Sequence, residues 1–325
     1  MQSSNSEKII TVIGGSGFVG RHVVQALAKR GYRIRVACRR PDLAGHVLPL
    51  GVPGQIVPVQ TNVRYPASIA AACDGAYAVI NLASTFSNGT AQSFEGVNVF
   101  GAEAVAKAAK SAKAAVFIHM SGLGADQPSG SAYVTSRGAG EAKVKAVVPS
   151  AIILRPSVIF GPEDHLFNRF AKLARFAAVL PVLAAETKFQ PVYVADVAEA
   201  VATLVDRGEA SGKAYELGGP QVKTMRQIIQ YVLDITYRKR LLINLPFSIA
   251  SLLGTVTGWL PGAPITSDQV EMLKANNTVS DKAASEGRNL AGLGIKARSV
   301  EAIVPSYLYR FRKAGQFTVP NVMPE

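Results

Sequence analysis

The amino-acid sequence predicts an α/β protein with a doubly wound parallel sheet and a smaller, mostly helical C-terminal lobe. Short apolar runs rich in β-branched residues alternate with helical patterns through the first half of the chain, and a glycine-rich turn follows the first run. This alternation indicates parallel βαβ units whose sheet is covered on both faces. Apolar residues make up 48% of the 325 residues and charged residues 18%, which is typical of a folded chain.

The predicted elements follow one another in a regular order. The first strand is Lys8–Ile13, and the helix after it has an apolar face and ends at a predicted C-cap, Gly31. Further strands are predicted at Ile34–Cys38, Ile56–Val59, Ala78–Leu82, Ala115–Met120 and Ala151–Leu154, and an alanine-rich helix at Gly101–Ala112. Beyond Arg155 the alternation becomes irregular. We therefore predict a dinucleotide-binding domain over residues 1–160, to which the chain returns at about 190–217, and a C-terminal lobe over 218–325 with contributions from about 161–189.

A glycine-rich turn joins the first predicted strand to the first helix. Its sequence fits both G-x-G-x-x-G and G-x-x-G-x-x-G. Glycines in this position let the backbone approach a pyrophosphate, and the helix N-terminus offers N–H donors and the positive end of its dipole. The sequence therefore predicts a Rossmann-type cofactor site that includes Gly14, Gly15, Ser16, Gly17, Phe18, Val19 and Gly20.

The end of the second predicted strand indicates which dinucleotide binds. An acidic residue about 20 residues beyond the glycine turn would bind the ribose 2′-hydroxyl of NAD. Arg39 and Arg40 stand there instead, and Asp42 lies past Pro41. A guanidinium binds a 2′-phosphate in bidentate fashion, whereas a carboxylate would repel it. We therefore predict NADP(H).

Composition and charge limit the kinds of ligand and partner that we expect this protein to bind. The two cysteines and four histidines show no metal-ligand spacing, so we expect no metal site. A net charge of +13 suits a phosphorylated cofactor, an anionic membrane surface or an acidic protein partner. The basic residues are dispersed and accompany no nucleic-acid-reading motif, so nucleic acid is not expected as a ligand. The start MQSSNSEKII runs directly into the first strand, so we expect no targeting segment and a cytoplasmic protein.

Further motifs resemble the extended or atypical short-chain dehydrogenase/reductases. They are Asn62-Val63, Asn81-Leu82-Ala83, Asn98, Tyr133, the run Arg155–Pro162 and the run Val192–Ala198. The resemblance implies that Asn62 and Val63 flank the adenine and that Leu82 and Ala83 lie near the middle of the cofactor. It also implies that Pro156, Ser157, Val158 and Ile159 pass near the nicotinamide.

The same resemblance makes Tyr133 a candidate catalytic residue, because such enzymes use a Tyr-x-x-x-Lys pair. In this chain the cation is Arg137, which keeps the charge but cannot lose its proton at ordinary pH. Gly122 stands where a catalytic hydroxyl is expected, with Ser121 one residue early, and such a slip turns a strand side chain to the opposite face. Gly138 and Gly140 are expected to weaken the helix by about 1 kcal/mol each. Catalytic and structural roles for Tyr133 both stay open.

Within this family, several longer stretches resemble the nucleotide-binding accessory subunits of respiratory complex I and their bacterial homologues. They include ILRPSVIFGPEDHLFNRFA, FQPVYVADVAEAV and VEAIVPSYLYRFRKAGQF. The resemblance implies an NADPH held as a fixed cofactor, other complex I subunits as partners, and a peripheral position on the cytoplasmic face of a bacterial inner membrane. An active NADP-dependent reductase or epimerase, acting for example in quinone synthesis, and a redox-sensing binding module are the alternatives.

An apolar stretch and two basic segments in the last third of the chain support a membrane-facing surface. Leu241–Leu260 is almost uncharged, but Pro246, Gly254 and Gly258 argue against a lipid-exposed spanning helix. A core helix, or a helix lying on a membrane or protein surface, fits better. Arg238–Arg240 and Tyr309–Lys313 would then meet anionic headgroups, although both also fit a solvated surface.

Overall fold

A computed structural model describes residues 5–86, 88–89, 92–208, 210–249 and 266–317. The chain forms two compact units, each built from three segments of sequence. The first unit comprises Met1–Pro156, Val194–Leu217 and Val279–Lys296, and the second comprises Ser157–Tyr193, Gly218–Thr278 and Ala297–Glu325.

The strands and helices are as follows. The strands are β1 (Ile9–Ile13), β2 (Arg33–Cys38), β3 (Ile56–Gln60), β4 (Ala78–Asn81), β5 (Val116–Met120), β6 (Ile152–Pro156), β7 (Ile159–Phe160), β8 (Val179–Leu183), β9 (Lys188–Phe189), β10 (Val192–Tyr193), β11 (Ala214–Leu217), β12 (Lys223–Thr224) and β13 (Leu241–Leu245). The helices are α1 (Phe18–Lys29), α2 (Pro66–Cys73), α3 (Phe100–Ser111), α4 (Ala132–Val147), α5 (Leu166–Phe176), α6 (Val194–Arg207), α7 (Met225–Ile235), α8 (Ser267–Met272), α9 (Asp281–Ser285), α10 (Val300–Ile303) and α11 (Pro305–Leu308). A π-helical turn, Glu95–Val99, precedes α3, and short 3-10 helices include Pro41–Leu43 and Gly45–Leu50.

The first unit contains a seven-stranded parallel sheet, which confirms the predicted fold class. Its strand order is β11-β6-β5-β4-β1-β2-β3, so the order reverses beside β1. All of its strand pairs are parallel, as the β1–β2 register from Ile9↔Arg33 to Ile13↔Ala37 illustrates. Ligands of such sheets bind at the carboxyl ends of the strands beside this reversal. The glycine-rich turn leaves β1 there.

Helices cover both faces of this sheet, as the apolar periodicity predicts. On α1 the buried side chains are Val23, Val24, Leu27 and Ala28, and this helix packs against α6. A separate cluster joins α2, α3 and α4 to other sheet residues, including Ile69, Val105, Val144 and Phe117. Full burial of one such aliphatic side chain stabilises the fold by about 1.5–3 kcal/mol. The packing of these apolar helix faces therefore holds the strands, and with them their carboxyl ends, in place.

The second unit contains more strand than the predicted mostly helical lobe. Three two-stranded pairs form, β7 with β10, β9 with β12 and β8 with β13. Its core is a cluster that α5 and α7 share with the C-terminal helices, and that includes Phe167, Ile229, Val232 and Leu308. Four of these six strands have two residues and are too short to carry a period-two pattern, which is why the sequence did not indicate them.

Val279–Lys296 belongs to the first unit, whereas the sequence analysis assigned all of 218–325 to the second lobe. Specific polar contacts hold this segment against β11. Ser280 N donates to the Glu216 carboxylate at 2.7 Å, and the Arg288 guanidinium donates to the Ala214 carbonyl at 2.6 Å. These partners lie far apart in sequence and leave no local periodic signal.

The apolar stretch Leu241–Leu260 begins as a strand, so the helix expected there is wrong for its first residues. Leu241–Leu245 pairs with Val179–Leu183 in parallel. A five-residue apolar run such as Leu241–Leu245 fits a helix or a strand equally well, and the available partner strand decides between them. Residues 250–260 of the predicted stretch lie outside the described residues. Within the described ranges, no helix has the length and apolar character needed to cross a bilayer.

Candidate functional site

The glycine-rich turn has the close packing that a dinucleotide loop requires. Gly14 has φ +80°, a conformation that favours glycine, and its N–H donates to the Ala37 carbonyl at 2.8 Å. A Cβ on Gly20 would lie 2.4 Å from the Gly14 oxygen, so no side chain fits there. Gly17 is the N-cap of α1 and offers no side-chain cap. The first N–H groups of α1 are therefore available to an anion.

The glycine loop is uncrowded at Gly17 and approaches the chain after β4 at Gly14. A Cβ on Gly17 would meet only the Gly14 oxygen, at 3.4 Å, so the loop is open on that side. The backbone of Leu82 and Ala83 passes Gly14, since a Cβ on Gly14 would lie 3.3 Å from both Leu82 C and Ala83 N. The structure thus brings together the glycine loop, from Gly14 to Gly20, and two residues predicted to contact the middle of the cofactor.

The two arginines after β2 differ in their surroundings. Both are exposed. Arg40 is bound by Asp42, with Nε 3.0 Å and NH2 2.7 Å from its two carboxylate oxygens. Among the described residues, none hydrogen-bonds to the Arg39 guanidinium. His46, which the sequence analysis did not single out, places Nε2 3.1 Å from the Ser16 carbonyl oxygen of the glycine loop.

Asn62 and Val63, predicted beside the adenine, form a tight turn after β3. Asn62 Oδ1 accepts from Arg64 N at 3.1 Å, and Asn62 N donates to Ser68 Oγ at 3.1 Å. Val63 is partly buried and packs against the α2–α3–α4 cluster. Their predicted contact with a base remains a prediction.

Tyr133 and Arg137 both lie on α4, but the two side chains have different partners. The Tyr133 ring stacks on Phe86 with centroids 4.6 Å apart, and Phe94 meets it edge-on at 5.8 Å. Arg137 is buried, and its NH2 donates to the main-chain oxygen of Met120 at the end of β5. The main-chain oxygen at the end of β5 therefore fixes the position of the Arg137 guanidinium.

Two buried polar atoms near this strand end have no partner in the part of the chain that the structure describes. They are Arg137 Nε and Ser121 Oγ. Leaving such atoms without a hydrogen bond costs about 1–3 kcal/mol each, and buried polar groups of this kind mark ligand sites. Both can donate to a hydroxyl or carbonyl of a bound cofactor. A Cβ on Gly122 would meet no atom of the described residues within 4 Å, so this position has room for a side chain.

A buried hydrogen bond between Asn81 and His119 joins the ends of β4 and β5, and it was not predicted from the sequence. His119 Nδ1 is 3.1 Å from Asn81 Nδ2, and both side chains are buried. Burial, with the Arg137 charge acting in the same direction, lowers the pKa of His119 to about 3. His119 therefore stays neutral near pH 7 and accepts the Asn81 amide proton, so it is not an acid for chemistry at the strand ends.

Gly138 and Gly140 allow close packing of α4, and their expected cost to the stability of this helix stays a prediction. A Cβ on Gly138 would lie 2.2 Å from the Ala125 oxygen, and a Cβ on Gly140 2.1 Å from the Asn98 oxygen. Asn98 in turn accepts from Thr85 N at 3.1 Å and donates to Ser136 Oγ at 3.0 Å. The glycines thus let α4 approach the π-helical turn and the segment after β4.

A buried ion-pair network at the end of β6 positions α4 and the loop before it. Arg155 donates to both oxygens of Glu141, at 3.0 and 2.6 Å, and to Asp126 at 2.6 Å. Arg155 and Glu141 are almost fully buried, whereas Asp126 is partly exposed. Charge spacing alone did not reveal this network, because its members lie on three separate segments.

The segment predicted near the nicotinamide begins at Pro156 in the first unit and continues in the second. Pro156 O accepts from Leu123 N at 3.2 Å. Within the second unit, Asn277 Oδ1 accepts from Ser157 Oγ at 2.7 Å and from Val158 N at 3.0 Å, and Ile159 pairs with Val192. Their predicted cofactor contacts remain predictions. No cluster of His, Cys, Asp or Glu able to hold a metal ion occurs within the described ranges.

The sequence also matches a protein family of this fold. The model of the NAD dependent epimerase/dehydratase family matches residues 10–218, and the chain belongs to this family. More particularly, it is 35% identical to NADH dehydrogenase (ubiquinone) 1 alpha subcomplex subunit 9, mitochondrial, of Arabidopsis thaliana, over 97% of this chain and 80% of that protein. These matches confirm the resemblance drawn from the motifs.

Other relatives carry different names. A ceramide reductase of Caulobacter vibrioides is 36% identical, over 60% of each chain. Among solved structures, the NADPH-dependent quinone oxidoreductase of Escherichia coli in complex with NADPH has a TM-score of 0.72 at 22% identity and covers 92% of this chain and 99% of that one. The dTDP-glucose 4,6-dehydratase of Streptomyces venezuelae with NAD bound has a TM-score of 0.71 at 17% identity, with coverages of 93% and 96%. The fold is thus that of nicotinamide-dinucleotide proteins.

Proposed function

We propose that this protein is an NADP(H)-binding accessory protein of a respiratory NADH:quinone oxidoreductase, and that it holds its cofactor without turning it over rapidly. The relative that is 35% identical over 97% of the chain is named as a subunit of NADH dehydrogenase, which supports an equivalent place in a complex. The proposed partners are other subunits of that complex and the membrane surface beside it, on the cytoplasmic side of a bacterial inner membrane.

The observation that carries the proposal is the position of the Arg137 guanidinium. In the catalytic arrangement, a lysine ammonium beside the tyrosine lowers the pKa of the phenol. Here the cation donates to the Met120 carbonyl, and its Nε, which has no partner among the described residues, is suited to a cofactor hydroxyl. Phe86 and Phe94 surround the Tyr133 ring. This set favours retention of a dinucleotide over proton transfer to a substrate.

NADP(H) is the proposed cofactor because Arg39 is free of acidic partners among the described residues, whereas Asp42 is committed to Arg40. Equilibrium binding of NADPH and NADH, followed by nicotinamide fluorescence, tests this choice. The unmodified protein should bind NADPH more tightly, and Arg39→Asp should lose that preference. Equal or tighter binding of NADH by the unmodified protein contradicts the assignment.

The membrane part of the proposal rests on a surface of the second unit that we call the basic apolar surface. It consists of Phe176, Val179, Leu241 and Ile243, which are exposed, and of Arg175, Arg238, Lys239 and Arg240. In the β8–β13 pair, Leu241 lies beside Val179 and Ile243 beside Pro181, so their outward side chains form one face.

The arginines of the basic apolar surface lie close together. Burial, followed by the charges of Arg240 and Arg175, lowers the pKa of Arg238. None of these three forms an ion pair with a carboxylate in the part of the chain that the structure describes. Adjacent apolar and cationic groups fit the headgroup region of an anionic bilayer.

Sedimentation with vesicles tests this surface. We expect the full chain to bind vesicles that contain anionic lipid, and Ile243→Asn combined with Lys239→Glu to reduce that binding. Val57→Asn is the matched control, since Val57 is an exposed strand residue of the first unit. Equal binding by the double variant and the control would remove the basic apolar surface from the proposal.

Co-purification tests the accessory role itself. The protein should sediment with membranes or with a large respiratory assembly, and a chain ending at Ser299 should do so less, once that chain is shown to fold and to bind its nucleotide. Salt should slow the encounter more than it weakens the final complex. The folded, full-length protein could instead stay unbound at physiological salt in the presence of membranes that contain the complex. That outcome would favour the reductase described below.

An active NADP-dependent reductase of a lipophilic carbonyl compound is the second candidate. Tyr133 is retained four residues before a cation, and one relative is named a ceramide reductase. Quinones and long-chain ketones should then oxidise bound NADPH. Steady turnover of about one per second or faster, abolished by Tyr133→Phe, would favour this candidate over the accessory role.

A further inference from the structure

The helix α2 presents an uncharged face to solvent. Its eight residues include no charged side chain, and its serine, Ser68, donates to main-chain oxygens of the turn before the helix. Half of the helix is exposed, namely Pro66, Ala67, Ala70 and Ala71. A helix at a protein surface normally carries charged or polar residues on its outer face, and a helix that is apolar all round is usually buried. The outer face of α2 therefore has the composition of a covered face.

Three large apolar side chains surround α2 and are exposed as well. Val57 on β3 lies beside Arg35 in the β2–β3 register, and Arg35 donates to the Ala72 carbonyl of α2 at 3.2 Å. Tyr65 is the N-cap residue of α2, and Phe100 begins α3, which packs against α2. Each of the three is 46–60% exposed. We call these three residues, together with the exposed residues of α2, the α2 surface.

A groove of about 250 Å³ lies within the α2 surface, between α2 and α3. Phe100 and Pro66 line it together with small side chains of both helices, Ala70, Ala104 and Ala108. Pockets for small-molecule ligands usually have volumes of about 300–1,000 Å³. This groove is therefore better suited to one or two side chains of another protein than to a metabolite.

Two exposed arginines at the border of the α2 surface have no acidic partner among the described residues. Arg64 lies beside the turn before α3, since a Cβ on Gly96 would be 4.0 Å from its Cδ. Arg33 lies two residues before Arg35 and hence on the same face of β2. Neither guanidinium forms an ion pair in the part of the chain that the structure describes. Both are available to carboxylates, which guanidinium groups bind in bidentate fashion.

The acids near the α2 surface do not balance these cations. Glu103 lines the groove, but Lys107 Nζ lies 2.7 Å and Lys143 Nζ 3.9 Å from its carboxylate oxygens. Asp74 follows α2, and its main-chain oxygen accepts from Arg35. The border of the surface therefore carries more positive than negative charge. A symmetric contact with a second copy of this chain would bring like charges together, whereas an acidic partner would pair with them.

We infer that the α2 surface is a docking site for an acidic, amphipathic segment of a partner protein. Apolar side chains of that segment enter the groove beside Phe100, and its carboxylates bind Arg64 and Arg33. A concave groove between helices receives the separate side chains of a peptide segment, whereas a bilayer takes up apolar side chains that protrude. Exposed apolar patches with a polar border mark such interfaces. The inference goes beyond the proposed function, because it holds for an accessory subunit and for a reductase alike.

Photo-crosslinking in the native cells tests this docking site. A photo-reactive phenylalanine analogue takes the place of Phe100 in the full-length chain, and mass spectrometry identifies the attached segment. We expect a protein segment with apolar residues at helical spacing and a net negative charge. Ala70→Gln, which fills the groove, and Arg64→Glu, which repels carboxylates, should each lower the yield of this product roughly fivefold. Ala139→Gln, at an exposed alanine of α4, is the matched control and should leave the yield unchanged.

A binding measurement then tests the role of charge. The attached segment, made as a peptide, should bind the purified full-length protein, and replacing its carboxylates with amides should weaken that binding roughly tenfold. Thermal unfolding establishes that each variant is folded. Crosslinks to lipid or to a second copy of this chain, or the absence of any light-dependent product, would overturn the inference. A yield that Ala70→Gln leaves unchanged, or a peptide that binds equally well without its carboxylates, would overturn it too.

Discussion

Arg155 binds Glu141 through both carboxylate oxygens, at 3.0 and 2.6 Å, with both side chains almost fully buried. The pair joins the end of β6 to α4, the helix that carries Tyr133 and Arg137. Removing one member of a buried pair leaves the other charge without compensation and destabilises a fold by about 3–5 kcal/mol. Glu141→Gln should therefore strongly lower the midpoint of urea unfolding. Glu103→Gln, which breaks the partly exposed pair with Lys107, should change it much less; equal effects would contradict the role given to burial.

The hydroxyl of Tyr307 donates to Asp164 Oδ2 at 2.6 Å, and Gly161 N and Phe167 N also donate to this carboxylate. Burial raises the pKa of Asp164 despite these donors. The folded chain therefore binds more protons than the unfolded chain just above pH 4, and the contribution of Asp164 to stability falls as pH rises through that window.

Tyr307→Phe should destabilise the protein by about 1–3 kcal/mol at pH 7. The lost donor serves the ionised carboxylate, so the deficit should shrink as the pH approaches 4 and Asp164 is protonated. Thermal unfolding at several pH values measures this change, with Tyr309→Phe, an exposed tyrosine, as the control. A deficit that grows toward acid would show that the hydroxyl stabilises the protonated form.

Gly140→Ala distinguishes close packing from helix propensity. Propensity alone favours alanine inside a helix by about 1 kcal/mol. A Cβ at Gly140 would, however, lie 2.1 Å from the Asn98 oxygen, which forces α4 away from the π-helical turn. We expect a net loss of about 1–3 kcal/mol, together with weaker nucleotide binding. Gly45→Ala, where a Cβ would meet nothing within 4 Å, is the control. A stabilised Gly140→Ala protein would contradict this account.

Restoring the expected catalytic groups should restore proton transfer. Gly122 has open space for a side chain, and a lysine at position 137 would supply an ammonium in place of the guanidinium held by Met120. In NADPH-loaded protein, Gly122→Ser combined with Arg137→Lys should raise carbonyl-dependent oxidation of NADPH by roughly 100-fold. Absorbance of the reduced nicotinamide measures the rate. An unchanged rate in a folded variant that keeps its NADPH would place the obstacle elsewhere, with the Phe86 ring over Tyr133 as the next position to change.

Local sequence signals predicted the sheet of the first unit and the glycine loop. The spacing of Val23, Val24 and Leu27 and the spacing of Gly14, Gly17 and Gly20 are both read within one βα unit. The Arg155–Glu141 pair and the Asn81–His119 pair depend on which distant strands and helices become neighbours. No periodicity of the chain contains that information.

The sequence indicated which types of residue form the candidate site, but it did not indicate which residues contact one another there. The sequence indicated Arg39 as the residue in place of the expected acid, with Arg40 beside it, and only the three-dimensional arrangement shows that Asp42 engages Arg40. Likewise, no motif indicated the contacts of His46, because they are made to two carbonyls on separate turns. Helix propensity likewise describes α4 alone, so it did not indicate that the oxygen atoms of Ala125 and Asn98 pack against its two glycines.

The return of Val279–Lys296 to the first unit determines when that unit can be completed during synthesis. The Glu216 carboxylate of β11 receives its Ser280 partner only after the whole stretch from Gly218 to Thr278 has been translated. At a translation rate of roughly 5–20 residues per second, the β11 edge of the nascent sheet therefore lacks this contact for several seconds. Ribosome pausing between these positions should prolong that interval and increase chaperone engagement and protease sensitivity at β11.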